Sequence, residues 1–173
     1  GLSAFTNVHQ KELADRIISF DDIHPILNRL LLEALECSHD LDGLIQLLDR
    51  RLLEHLQTAY PPELQIATSL MVLHNGNISC NELSASVYFS ARHLGRIFEN
   101  HLGLGVKTFS RLVRINKAIR LLQDPQCSVT HASCEAGFYD SSHFIRDFQS
   151  VCGMKPQEFR NNMSDFYSEI AKF

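Results

Sequence analysis

The sequence predicts an all-α protein. Three observations predict it. Apolar residues recur at helical rather than alternating spacing almost throughout, and Val/Ile/Thr alternation of the strand kind is scarce. Helix-start residues and Gly or Pro stops punctuate the chain at short intervals. The composition, 45% hydrophobic and 21% charged over 173 residues, is that of a chain able to bury a core rather than of a disordered one.

The elements follow in order. Pro25 opens a helix through Ile26, Leu30 and Ala34, and Asp40 caps a second over 41–58 in which Leu41, Ile45, Leu48, Leu52 and Leu56 repeat at helical spacing. Pro61-Pro62 breaks the chain and starts a helix through Leu64, Ala67 and Met71 that ends near Asn75-Gly76. Ser79-Cys80-Asn81-Glu82 is a capping box before Leu83, Ala85 and Val87. Ser90 caps a helix from Ala91 to about His101, stopped by Gly103-Leu104-Gly105. Val106 to Leu122 reads as a longer helix with Phe109, Leu112, Val113, Ala118 and Leu121 as its buried side, stopped by Asp124-Pro125. Helices over 128–136 and 140–152 end at Gly137 and Gly153, and Pro156 starts the last. We expect a domain boundary near residue 60: an acidic helical segment 1–60, a domain over 61–161 and a tail over 162–173.

Charge is unevenly spread. Residues 1–75 hold five Lys/Arg against eleven Asp/Glu, a net −6, whereas residues 76–160 hold ten against seven, a net +3. From Arg92 to Arg120 there are seven bases and one acid, Glu99. Inside a chain of net charge −4, such a block implies either an anionic partner or a solvated helix face. The five cysteines form no C-x-x-C pair and no zinc-finger spacing, so they read as small hydrophobes in a reducing compartment, with a redox or metal role as the alternative. No apolar run approaches the ~20 residues of a membrane-spanning helix. The first residue is Gly1 rather than a methionine, and we expect a segment of a longer protein.

One pattern occurs twice, fifty residues apart. His93-Leu94-Gly95-Arg96-Ile97-Phe98, Gly103-Leu104 and Phe109 are matched by His143-Phe144-Ile145-Arg146-Asp147-Phe148, Gly153-Met154 and Phe159. Each copy is preceded by a short helix and a tight turn, which is the arithmetic of a helix-turn-helix unit. At about 100° per residue, Leu94 and Phe98 share one face and Arg92 and Arg96 the opposite one; Phe144 and Phe148 are likewise opposed by Ser142 and Arg146. Gly95 and Ile145 lie on the shoulder of that outer stripe. A major groove admits one helix, and Arg can bond guanine there bidentately. The connecting helix is ~25 Å long at ~1.5 Å per residue, a credible spacer between successive grooves about 34 Å apart. Its Arg111, Arg114, Lys117 and Arg120 are candidates for phosphate contact.

Residues 62–160 resemble the DNA-binding domain of the AraC/XylS family of bacterial transcription regulators. The resemblance rests on Gly137-Phe138-Tyr139-Asp140-Ser141-Ser142-His143-Phe144, then Arg146, Phe148, Gly153, Pro156, Phe159 and Arg160, and on Leu83, Ser90, Arg92-His93-Leu94, Arg96 and Phe98. It implies a seven-helix domain with two helix-turn-helix units in neighbouring major grooves. By position it implies base contacts from Ser90, Arg92, Gly95 and Arg96 and from Ser141, Ser142, Ile145 and Arg146, with His93 and His143 as phosphate contacts or helix-packing residues. Ser84 and Ser133 stand where the family usually has Ala, Ala132 replaces a larger aliphatic, and Tyr88 occupies a turn position where some members have Gly. Because 128–160 carries three bases and four acids, the first unit and the connecting helix should dominate attraction to phosphate. Gly1 to Ile23 is similar to the tail of the effector-sensing domain of some members.

The expected function is therefore a sequence-specific, double-stranded-DNA-binding transcription regulator, bacterial, cytoplasmic and nucleoid-associated. The alternative is a helical protein-interaction module that kept the fold and lost DNA binding. Expected partners are DNA, RNA polymerase and a second copy through residues 26–58, although those helices equally suit an interdomain brace or packing within one chain. No cofactor is expected, except a small-molecule effector held by the sensor domain. An enzyme is not expected: no P-loop, G-x-S-x-G or H-E-x-x-H occurs, and the nine histidines are too scattered for a metal site.

Overall fold

The computed structural model describes residues 2–57 and 60–162; the expected C-terminal tail, 162–173, lies outside them except for its first residue. The described residues are helical with no strand. After a single 3-10 turn (Leu2–Ala4) come α1 (Gln10–Leu13), α2 (Phe20–Ile23), α3 (Pro25–Cys37), α4 (Leu41–Glu54), α5 (Pro62–Leu73), α6 (Cys80–Ser86), α7 (Ala91–Leu102), α8 (Val106–Leu122), α9 (Val129–Glu135), α10 (Ser141–Cys152) and α11 (Pro156–Asn161). Seven helices thus run from Pro62 to Asn161, as the resemblance implies. Helices α1 and α2 and the opening turn have no counterpart in the sequence reading, being too short to carry a hydrophobic period.

The boundaries follow local chemistry. Ser79 accepts the amide of Glu82 at 3.2 Å, and the Glu82 carboxylate accepts the amide of Ser79 at 3.0 Å, so the predicted capping box is complete. Asp40, Ser128 and Asp140 cap α4, α9 and α10 through their side chains. Gly153 ends α10 in the left-handed conformation at φ +75°.

The described residues cluster into two compact units: 2–65 with 92–105, and 66–91 with 106–162. In the first unit, α2 and α3 pack together, as do α3 and α4, around fully buried Leu27. Helix α7 belongs to this unit through its C-terminal end: the Ser3 hydroxyl donates to the carbonyl of His101 at 2.9 Å, and the backbone of Gln10 lies against Gly103. The apolar stripe of α4 is not a core. Leu41, Ile45 and Leu56 are exposed, and α4 buries no residue completely.

The second unit packs α8, α9, α10 and α11 around Ile115, Ala118, Leu122, Ala132, Ala136, Phe138, Phe144 and Phe148. Its aromatic rings form a ladder, with centroids 5.1 Å apart for Phe138–Phe144, 5.5 Å for Phe144–Phe148 and 5.4 Å for Phe148–Phe159. Ala132, smaller than expected, is fully enclosed. Gly76 joins α5 to α6 at φ +74°, where a Cβ would sit 2.5 Å from the Ser110 carbonyl oxygen; only glycine satisfies both conditions.

The buried side of α8 differs from the reading based on apolar residues alone. Its buried residues are Val106, Ile115, Ala118 and Leu122, whereas Phe109, Leu112, Val113 and Leu121 are half-buried. Taking Ile115 as zero at about 100° per residue, Leu122 falls near −20° and Ala118 near −60°, while Phe109 and Leu121 lie beyond about 110° on either side. The same arithmetic puts Arg111 near −40°, on the core side, and Arg114 near −100°, at the edge of it.

Candidate nucleic-acid interface

Helix α7 presents the face that its amphipathic pattern requires. Leu94 and Phe98 are fully buried, and Ser90, Arg92 and Arg96 are exposed. Gly95 is half-exposed, and a Cβ built there meets nothing within 4 Å, so the helix surface is flat beside the two arginines. His93 is half-buried, and its Nδ1 lies 3.3 Å from the Arg96 guanidinium.

Helix α10 repeats the arrangement. Phe144 and Phe148 are fully buried, while Ser141, Ser142, His143, Ile145 and Arg146 are exposed. Asp140 accepts the amides of Ser142 at 3.0 Å and His143 at 3.2 Å. The Ser142 amide is the main cause holding the Asp140 carboxyl below its ordinary value. The cap's contribution is therefore present above the unfolded carboxyl value and is lost as the pH falls through the lower folded one. Asp140→Ala should speed hydrogen exchange at Ser142 and His143 near neutral pH, whereas Asp140→Asn should retain most of the protection. Equal exchange in the wild type and the alanine variant would show that the cap does not hold this end of α10. Arg146 runs back along the helix, its Nε donating to the Ser142 carbonyl at 3.3 Å.

The connecting helix divides its bases. Arg111 is half-buried, with Nη1 3.7 Å from the Asp147 carboxylate, and the Arg114 guanidinium lies over the Phe138 ring, 4.6 Å from its centroid. The Nε of each is enclosed without a hydrogen-bond partner. The sequence reading makes both candidates for phosphate contact; in the structure their side chains also reach Asp147 of α10 and Phe138 of the second turn, joining α8 to the second helix-turn-helix. Lys117 and Arg120 lie on the far side, Arg120 exposed and Lys117 half-buried.

Asp147 is the residue that the sequence reading missed. It is only 9% exposed, and its two oxygens face Arg111 and His143 Nε2, the latter at 3.4 Å. The duplicated pattern carried a signal: the same position in the first copy is Ile97, so an acid at this core-side position needed a buried partner. Arg160 also acts within the fold, donating to the Cys127 carbonyl at 3.2 Å and tying α11 to the start of α9.

The two turns differ by one residue. Ser79 and Ser128 cap the first helices, and the amides of Phe89 and Phe138 donate to the carbonyls of Ser84 and Ser133, each at 3.0 Å. These correspondences are forty-nine apart, whereas the recognition helices are fifty apart. The inserted residue is Tyr139. The left-handed position of each turn is Tyr88 at φ +57° in the first and Gly137 at φ +82° in the second.

Residues 83–162 match the family model described as a helix-turn-helix domain. A crystal structure of an AraC-type regulator from Chromobacterium violaceum superposes with a TM-score of 0.57 at 28% identity, covering 60% of this chain and 94% of that one. This segment is an AraC-type helix-turn-helix domain. Sequence relatives of the AraC-type domain include the transcriptional activator RhaS of Escherichia fergusonii, 34% identical over 83 residues, and the Msm operon regulatory protein of Streptococcus mutans, 26% identical over 92 residues. The matches cover 48% and 53% of this chain but only 30% and 33% of those proteins. Among the described residues no group of three His, Cys, Asp or Glu could hold a metal ion, and no helix is long and apolar enough to cross a membrane.

Proposed function

We propose that this chain is the DNA-reading part, residues 61–161, of a sequence-specific bacterial transcription regulator acting on double-stranded DNA in the nucleoid. The carrying observation is the pair of helices, α7 and α10, each with an exposed arginine in the same register opposite a fully buried aromatic residue, and each entered from a helix-turn-helix turn. Arg92 and Arg96, and Arg146 with Ser141 and Ser142, are the base-reading groups, and Ser90, Gly95 and Ile145 shape the contact. Lys117 and Arg120 supply phosphate attraction, joined by His93 and His143 at the ends of the recognition surfaces. The names of the relatives support regulation at operons; contact with RNA polymerase and an effector bound by a sensor domain are further parts of this proposal. Nothing in the fold favours a protein-interaction module that has lost DNA binding.

Exposed Ile26, Leu32 and Leu35 on α3, with Leu41, Ile45 and Leu53 on α4, support pairing of two copies through residues 26–58, since large apolar side chains are costly to leave in water.

A gel-shift titration tests the main reading. Binding to a random-sequence duplex should weaken linearly on a log–log salt plot. Replacing Arg120 by alanine should weaken all sequences alike and lower the slope by roughly one. Binding that ignores salt, or an unchanged slope in the Arg120 variant, contradicts the assignment.

A further inference from the structure

The two turns carry features that the fold does not explain. Tyr88 holds a left-handed backbone, φ +57°, which is costly for a bulky residue and free for glycine. Its side chain gains nothing in return from packing, being 94% exposed. Tyr139, the residue by which the second turn exceeds the first, is fully exposed as well, 108%. Both belong to the same compact unit. Each precedes a recognition helix: Tyr88 is three residues before Ala91, and Tyr139 two before Ser141. Strain without packing, and an insertion without packing, are how residues retained for contact with something outside the chain look. A phenol offers one strong O–H donor and no charge, and phosphate oxygens accept such donors along a duplex.

We infer that Tyr88 and Tyr139 are phosphate-binding residues, each donating its hydroxyl hydrogen to a DNA phosphate oxygen beside the helix that follows. This rests on the proposed DNA-binding function. It adds one neutral anchor per helix-turn-helix unit to the cationic ones, and it explains why the first turn keeps a tyrosine where the second has glycine.

The test uses the whole chain and a short random-sequence duplex. Tyr88→Phe and Tyr139→Phe should each weaken binding about tenfold, the worth of one hydrogen bond to a charged group. The salt slope should stay as in the wild type, because no cation has been removed. Tyr88→Asn should hold or raise the thermal midpoint, since asparagine tolerates this backbone, while weakening binding as the phenylalanine variant does. Phenylalanine variants that bind like the wild type overturn the inference and leave the function standing. A wild type that binds no duplex overturns both. A Tyr88→Asn variant that keeps full affinity also overturns it for that turn.

Discussion

Replacing Arg96 and Arg146 together by alanine is expected to remove most of the sequence preference while leaving the fold intact. Both side chains are exposed, and each helix is held by residues on its other face, Leu94 and Phe98 in α7, and Phe144 and Phe148 in α10. Their removal opens no cavity and strands no buried group. Each arginine is expected to carry about 1–3 kcal/mol of discrimination at its base. Lying on different helices, they should combine to about 2–6 kcal/mol. The check is selection of bound sites from a random pool: the wild type should enrich a motif with two conserved patches, each single variant should blur one patch, and the double variant should blur both. Thermal midpoints should agree throughout. A double variant that still recovers the wild-type motif would show that the reading heads lie elsewhere.

The largest effect on stability is expected at Phe148. Its ring is fully buried and stands between Phe144 and Phe159 in the aromatic ladder. Phe148→Ala should therefore cost about 3–5 kcal/mol, the lost transfer energy plus the cavity left behind. In urea the second unit should unfold at a much lower midpoint, and Phe148→Leu should recover much of the loss by refilling the space. DNA affinity measured well below the unfolding transition should change little for the leucine variant, because Phe148 faces away from Arg146. A wild-type midpoint for Phe148→Ala would mean that the ladder does not hold α10 in place.

Much of the fold was legible in the sequence because the informative features are local. The Ser79–Glu82 capping box, the Asp40 cap, Gly153 and the prolines at 25, 62 and 156 each act within one turn of helix, and each marks an element where the structure has one. The burial of Leu94, Phe98, Phe144 and Phe148 follows from helical geometry alone. What the sequence hid depends on partners far along the chain. Arg111 and Arg114 look like surface bases when charges are counted. Their involvement with Asp147 and Phe138 requires knowing that their side of α8 meets α10 and the second turn. The apolar stripe of α4 failed in the opposite sense: a helical period shows which residues share a face, not what that face meets. The exposure of the candidate base-reading side chains was readable for the same reason as the core, since a residue opposite a buried aromatic faces out.

The unequal repeats carry one last consequence. Where the first recognition helix has Gly95 and Ile97, the second has Ile145 and Asp147, and the second is entered through a longer turn. A tandem of non-identical halves on one polypeptide has a front and a back. The element that it occupies should lack dyad symmetry, so one copy of the chain can sit in only one direction relative to a neighbouring start site.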